Sequence, residues 1–406
     1  MKKSVMRSLF SLFFILLAIL SFYSCVSTKI GKGEINIEND QGIRTQSIVN
    51  TAQLIWKFKT GDDVGTTPVV MNGIVYFGSD DGYLYAVDAL NGKSKWYLQT
   101  GSVVRTSPTV VEGIVYFGSD DGHLHAVDAL SGKLRWSFQT GSKFITNPIV
   151  DNKTVYIGTV ASVVFTQDYL YAIDSISGKL KWKFEPKFRM KGEGTGITTT
   201  PAVADGIVYF GCNNSYFFAL DTLSGRLIWR LKTKDINYRN SFPTVVNGII
   251  YGGYEVYGGP GPYDYYGNFY AIDALSGNAK WSLNTGGVVE TSPVVVDGVV
   301  YFSNGNRIWA VNTDNGNLIW HLFPYQRFKH WSRSWTYVYP YVSSLRVLNG
   351  VVYFGCSNYL YAVDSLSGDG KWRFQSEGGI ISLTVDGGIV YFGSTDGCLY
   401  AVKYFQ

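Results

Sequence analysis

The sequence predicts an all-β chain: a single eight-bladed β-propeller with four-stranded antiparallel blades, its ring closed by an N-terminal strand that completes the last blade. Three observations predict it. One eleven-residue pattern stands seven times in the chain, the undisturbed repeat is 40 residues long, and a strand left over near the start matches a strand missing at the end. The copies are AVDALNGKSKW (86–96), AVDALSGKLRW (126–136), AIDSISGKLKW (172–182), ALDTLSGRLIW (219–229), AIDALSGNAKW (271–281), AVNTDNGNLIW (310–320) and AVDSLSGDGKW (362–372), and the 40-residue step runs from Trp56 to Trp96 to Trp136. Four-stranded units of this length are propeller blades. The two-residue alternation, with no long 3.6-residue pattern, excludes a helical solenoid.

Each blade reads in the same order. The first strand follows a proline (Pro68, Pro108, Pro148, Pro201, Pro243, Pro293), which a strand tolerates at its start. A tight turn such as Asn72-Gly73 or Asp205-Gly206 makes a hairpin into the second strand, Ile-Val-Tyr-Phe-Gly or a relative of it. The third strand carries Tyr-Ala-Val-Asp, whose aspartate caps the next turn while a glycine supplies its positive φ. The fourth strand ends on the tryptophan. Trp56 belongs to a fourth strand, Leu54 to Phe58, that precedes the first full blade, and the last repeat stops after its third strand at Ala401-Val402. Pairing the two completes blade eight and leaves no open sheet edge.

Composition agrees with many short buried strands and tight turns: 16% charged residues, 16% aromatics and 46 glycines. The net charge of +4 includes Lys2, Lys3 and Arg7 near the start, and no block of like charge suggests nucleic-acid binding. Residues 1–24 read as a signal peptide: a basic start, an apolar run from Leu9 to Phe22, then Phe22-Tyr23-Ser24-Cys25. That run is short for a spanning helix. It resembles a bacterial lipoprotein signal, which implies lipidation of Cys25. Residues 25–52 are then expected as the lipidated cysteine and a polar linker, and 53–406 as the propeller. Cys212, Cys356 and Cys398 are expected as small buried thiols, since an odd number cannot form a full disulfide framework.

The Ala-x-Asp-x-x-x-Gly-x-x-x-Trp pattern resembles the tryptophan-docking motif of the PQQ-like propeller family, over residues 54–404. The resemblance implies that Trp56, Trp96, Trp136, Trp182, Trp229, Trp281, Trp320 and Trp372 pack against neighbouring blades as structural residues. Within that family the overall arrangement is similar to the BamB-type outer-membrane assembly lipoproteins. This implies a non-catalytic docking scaffold of the cell envelope, lipid-anchored on the periplasmic side of the outer membrane or at the cell surface. A monomer with an envelope-protein partner, an outer-membrane barrel assembly protein foremost, is expected. An extracytoplasmic propeller that binds a ligand or polysaccharide is the alternative. A PQQ-dependent dehydrogenase is a third reading. The vicinal cysteine pair typical of such enzymes does not occur in the sequence, so neither PQQ nor calcium is expected.

No catalytic or metal-ligating constellation emerges. His123 and His125 stand where the previous repeat has Tyr83 and Tyr85, and read as drifted aromatic positions. His321 and His330 lack any Glu-x-x-His or Cys-x-x-Cys context. Departures from the 40-residue period fall between strands two and three (160–167, 254–267) and between blades (185–196, 232–240, 323–341), which share one face. Binding usually lives in such segments. The candidate partner-binding residues are Phe188, Arg189, Tyr257, Tyr263, Tyr265, Arg327, Trp331, Arg333 and Trp335, because Tyr, Trp and Arg anchor interfaces. Aromatics of this kind also stack on sugar rings.

Overall fold

The computed structural model describes residues 34–405, apart from 40–41, 141, 145, 161–167, 187–195, 213–215, 233–242, 258–264, 290, 306, 330–334 and 339–340. Eight antiparallel sheets make the ring. Blades one to seven run in order at 69–99, 109–139, 149–184, 202–232, 244–284, 294–329 and 342–375. Blade eight takes its inner three strands from Ile380–Asp386, Ile389–Ser394 and Cys398–Lys403, and its fourth from Gln53–Lys59. Trp56 pairs there with Ala401, as Trp96 pairs with Ala86 inside blade one. The ring is therefore closed as the repeat count required.

One local feature recurs and was not expected. The fourth strand does not end on its tryptophan but runs about three residues past it, as in Ser94–Gln99. A bulge precedes each of these tryptophans: Ala86 faces Trp96 but Val87 faces Ser94, with the extra residue left between them. Such a bulge kinks the strand and re-aims a side chain. The first hairpin turn uses positive φ at both central residues, as at Asn72 (51°) and Gly73 (73°), which matches the strand twist.

The indoles join the blades. The glycine in each motif of blades one to seven lies under the tryptophan of the blade before it: a Cβ on Gly178 would stand 2.7 Å from the Trp136 ring. Trp136 Nε1 donates to the Ser175 carbonyl at 2.9 Å, and the Tyr116 hydroxyl donates to the same oxygen at 3.1 Å. Trp56 and Tyr391 converge in the same way on Ala89, across the closure between blades eight and one. Trp372 faces the last repeat, which lacks the motif, and stacks on Tyr404 instead.

Residues 34–48 depart from the expected linker. Glu34–Asn39 and Gly42–Ser47 form a hairpin, and its first strand pairs with Leu318–Lys329 at the outer edge of blade six. Ile35, Ile37 and Ile48 are buried there, beside Trp320 and Leu322. The physical reason was in the sequence: Ile35 and Ile37 alternate with polar residues as a one-faced strand does, and Gly42 follows. Gly370 receives the hairpin, since a Cβ there would stand 2.3 Å from Ile48, and its N–H donates to the Gln46 side chain at 2.7 Å.

Candidate functional site

The two faces of the ring are set by strand order. Turns between strands two and three meet the connections between blades: Asp80 N–H donates to Asp63 O, and Asp81 Oδ2 accepts from Gly61 N–H at 2.8 Å. Turns one-to-two and three-to-four meet on the opposite face, where Ala89 N–H donates to Gly73 O. Strand order thus opens the two-to-three and blade-to-blade connections, the places where the period is interrupted, on one face.

Two of these segments are strands rather than loops over much of their length. In blade five, Ile249–Tyr257 and Tyr265–Asp273 continue their ladder beyond the blade body, with Tyr257 opposite Tyr265. In blade six, Leu318–Lys329 folds back onto Trp335–Val338, with Arg327 opposite Tyr337 and Lys329 opposite Trp335. The structure thus places Tyr257 and Tyr265 on one projecting ladder, and Arg327 and Trp335 on another. Phe188, Arg189, Tyr263, Trp331 and Arg333 lie outside the described residues, as does Cys25.

A cavity of about 570 Å³ occupies the middle of the ring, its wall drawn from the inner strands of all eight blades. Sequence reasoning missed it. The wall mixes hydroxyl and amide side chains with aliphatic ones, and hydrogen bonds between blades hoop it together: Thr67 N–H donates to Ser107 Oγ (2.8 Å), Ser107 N–H to Asn147 Oδ1 (2.7 Å), and Asn147 N–H to Thr200 Oγ1 (3.2 Å). Ser382 Oγ donates to Thr66 O at 2.7 Å across the closure. The signal was present, since the hoop residues stand just before the strand-one prolines in copy after copy.

Arg346 breaks the symmetry of this cavity. It stands opposite Tyr353, the register at which other blades have Val69, Thr109, Ile149, Ala202, Thr244, Val294 and Thr384. Its Nη1 donates to the Leu345 carbonyl, and burial pushes its pKa below the ordinary value. The other guanidinium on the wall, Arg105, is held at the rim by Asp80 (3.0 Å) and Asp120 (3.4 Å). Nearby, burial raises the Asp63 carboxyl, and the like charges of Asp62, Asp80 and Asp396 add to that effect.

Among the described residues, no three His, Cys, Asp or Glu side chains converge as a metal site. The cavity wall offers hydroxyls, an amide and two guanidinium groups. No carboxylate, a common calcium donor, is among the lining residues. His125 occupies the place of Tyr85: its Nε2 lies 3.6 Å from Asp121 Oδ2, where the Tyr85 hydroxyl bonds Asp81 at 2.7 Å. It is a drifted aromatic position, stacked on Phe117. Cys212, Cys356 and Cys398 are buried, and burial raises all three thiols above their ordinary value.

The family model described as outer membrane protein assembly factor BamB matches residues 47–108, 100–251 and 166–404. The chain belongs to that family. Among solved structures, BamB from Moraxella catarrhalis superposes on this BamB-family chain with a TM-score of 0.65 at 16% identity, covering 87% of this chain and 98% of that one. A computationally designed protein, Ika8, superposes at 0.68 with 17% identity, over 87% of this chain and all of its own. A quinohemoprotein alcohol dehydrogenase from Pseudomonas putida HK5 does so at 0.63 and 17%, over 90% of this chain and 77% of its own. At such identities these likenesses establish the fold alone. No curated protein matches the chain in sequence.

Proposed function

We propose that this BamB-family chain is a non-catalytic cell-envelope lipoprotein, anchored through Cys25, whose propeller docks an envelope protein, an outer-membrane barrel assembly protein foremost. The observation that carries the reading is the family match over the whole ring, with every long departure from the repeat on one face. Ladders that extend past the blade body on a rigid ring suit a protein partner, because aromatic and cationic residues, the types that anchor interfaces, stand along them. Phe188, Arg189, Tyr257, Tyr263, Tyr265, Arg327, Trp331, Arg333 and Trp335 are the proposed contacts. The reading includes no PQQ, calcium or nucleic acid, and a monomeric scaffold.

Affinity capture from envelope extract tests it. Recovery of a barrel assembly protein is expected, together with reduced capture by charge reversal at Arg189 or Arg327 and by Trp331→Ala or Trp335→Ala. Unchanged capture by all four variants would refute this placement. Quinone absorbance in the purified chain with calcium-dependent alcohol oxidation would overturn the non-enzyme reading, and an unmodified Cys25 thiol in the mature protein would overturn the anchor.

A second reading, an extracytoplasmic binding module, is favoured by the cavity. Arg346 in a hydroxyl-lined space suits an anionic ligand such as an acidic sugar. Glycan recovered in the same capture, and lost in Arg346→Gln, is the outcome that selects it.

A further inference from the structure

The face without insertions carries a feature that partner docking on the other face does not use. Each three-to-four turn of blades one to five and seven carries a large aliphatic side chain exposed to solvent: Leu90, Leu130, Ile176, Leu223, Leu275 and Leu366 are 60% to 81% exposed. The turn backbone explains why they point outward. The aspartate before each accepts from backbone N–H groups of the turn, as Asp88 does from Leu90 and Asn91, so the chain between aspartate and glycine loops away from the sheet. Because the turns are equivalent in the ring, these side chains share one plane.

Charge divides that plane. In blades one to four a cation follows three residues after the aliphatic, giving Leu90/Lys93, Leu130/Lys133, Ile176/Lys179 and Leu223/Arg226, all exposed. Among the described residues no ion pair involves these four, whereas the turn aspartates of blades one to three are paired with another cation: Asp88 with Lys95 (2.9 Å), Asp128 with Arg135 (2.6 Å) and Asp174 with Lys181 (3.6 Å). The opposite arc lacks the pattern. Blade five has Asn278, blade six has Asp314 and Asn317, and blade seven has Asp369 at these places. The first residue of the fourth strand deepens the contrast, since Leu134, Leu180 and Leu227 are exposed in blades two to four where blade seven has Gly370. The one-to-two turns bring Glu112, Asp151 and Asp205 to the same face, but nearer the axis.

We propose that the rim of blades one to four is a membrane-docking arc that seats against an anionic lipid surface. A protein partner wants one contiguous apolar patch. Here the aliphatics stand one per blade with polar backbone between them, which a planar bilayer meets side chain by side chain. Each aliphatic enters the headgroup–acyl boundary while its cation reaches lipid phosphate. The ring tilts toward the cationic arc, and the insertion-bearing face on the opposite side is left free. This orientation does not depend on lipidation or on the identity of any protein partner.

Hydroxyl-radical footprinting of the full chain tests it, on vesicles of phosphatidylcholine with phosphatidylglycerol, on phosphatidylcholine alone, and in detergent, with exposed Tyr341 as the internal reference. Oxidation of Leu90, Leu130, Ile176 and Leu223 is expected to fall by roughly threefold or more on the anionic vesicles only. Leu366 should change little. The combined variant Lys93→Glu/Lys133→Glu/Lys179→Glu/Arg226→Glu should restore oxidation with unchanged thermal unfolding. Equal protection on neutral vesicles, or no protection on the anionic vesicles, would each overturn the proposal.

Discussion

Trp136 shows how much one side chain does in this ring. It fills the space over Gly178, bonds the Ser175 carbonyl, and shares that oxygen with Tyr116. Trp136→Ala should therefore cost about 3 kcal/mol in denaturant unfolding, through a cavity and a lost hydrogen bond. Gly178 has φ +69° beneath the indole, so Gly178→Ala should cost about 2 kcal/mol from backbone strain and clash. The clash, but not the backbone strain, should vanish when Trp136 is already alanine, a non-additivity that a double-mutant cycle measures directly. Both residues were legible in the repeat. Arg346 was not: it lies in a strand that reads as ordinary, and only ring closure puts its register position on the cavity wall.

At the scale of the element, the three-to-four turn is the recurring unit. Asp128 is held below the usual carboxylate range chiefly by its bond to Arg135, Asp221 by the Ser224 hydroxyl, and Asp174 by the Ser177 N–H. Their charged forms are favoured by folding, so their stabilisation is present above the unfolded carboxylate value and is lost as pH falls through the lower folded values. Unfolding midpoints should thus decline below about pH 4, and less steeply in Asp128→Asn/Asp221→Asn. The N-terminal hairpin is a separable element. Ile37→Ser should undock it, raising amide exchange across 34–47 while the blades keep their protection. Its strand alternation could be read in the sequence. Its docking place could not, because nothing local says that blade six has a free edge or that Gly370 leaves room beside it.

For the whole molecule, closure by residues 53–59 governs cooperativity. Without that strand, Cys398–Lys403 becomes an open edge and the Ala89 carbonyl loses Trp56. A chain beginning at Gly61 should therefore lose its single sharp thermal transition and associate through the open edge, as light scattering would register. The buried thiols report on the same integrity. With burial raising Cys212, Cys356 and Cys398, a thiol reagent near pH 8 should leave them unmodified until the ring unfolds.

The blade count, the strand order and the closure are written in the sequence, because each depends on a pattern local to one repeat and on counting copies. So is the division into a plain face and a face with insertions, since up-and-down strand order alone assigns every connection to a side. The cavity with Arg346, the docked hairpin and the coplanar arc of exposed aliphatics were decided by tertiary structure. Each joins residues from several blades, and no separation along the chain encodes how eight similar sheets meet around an axis.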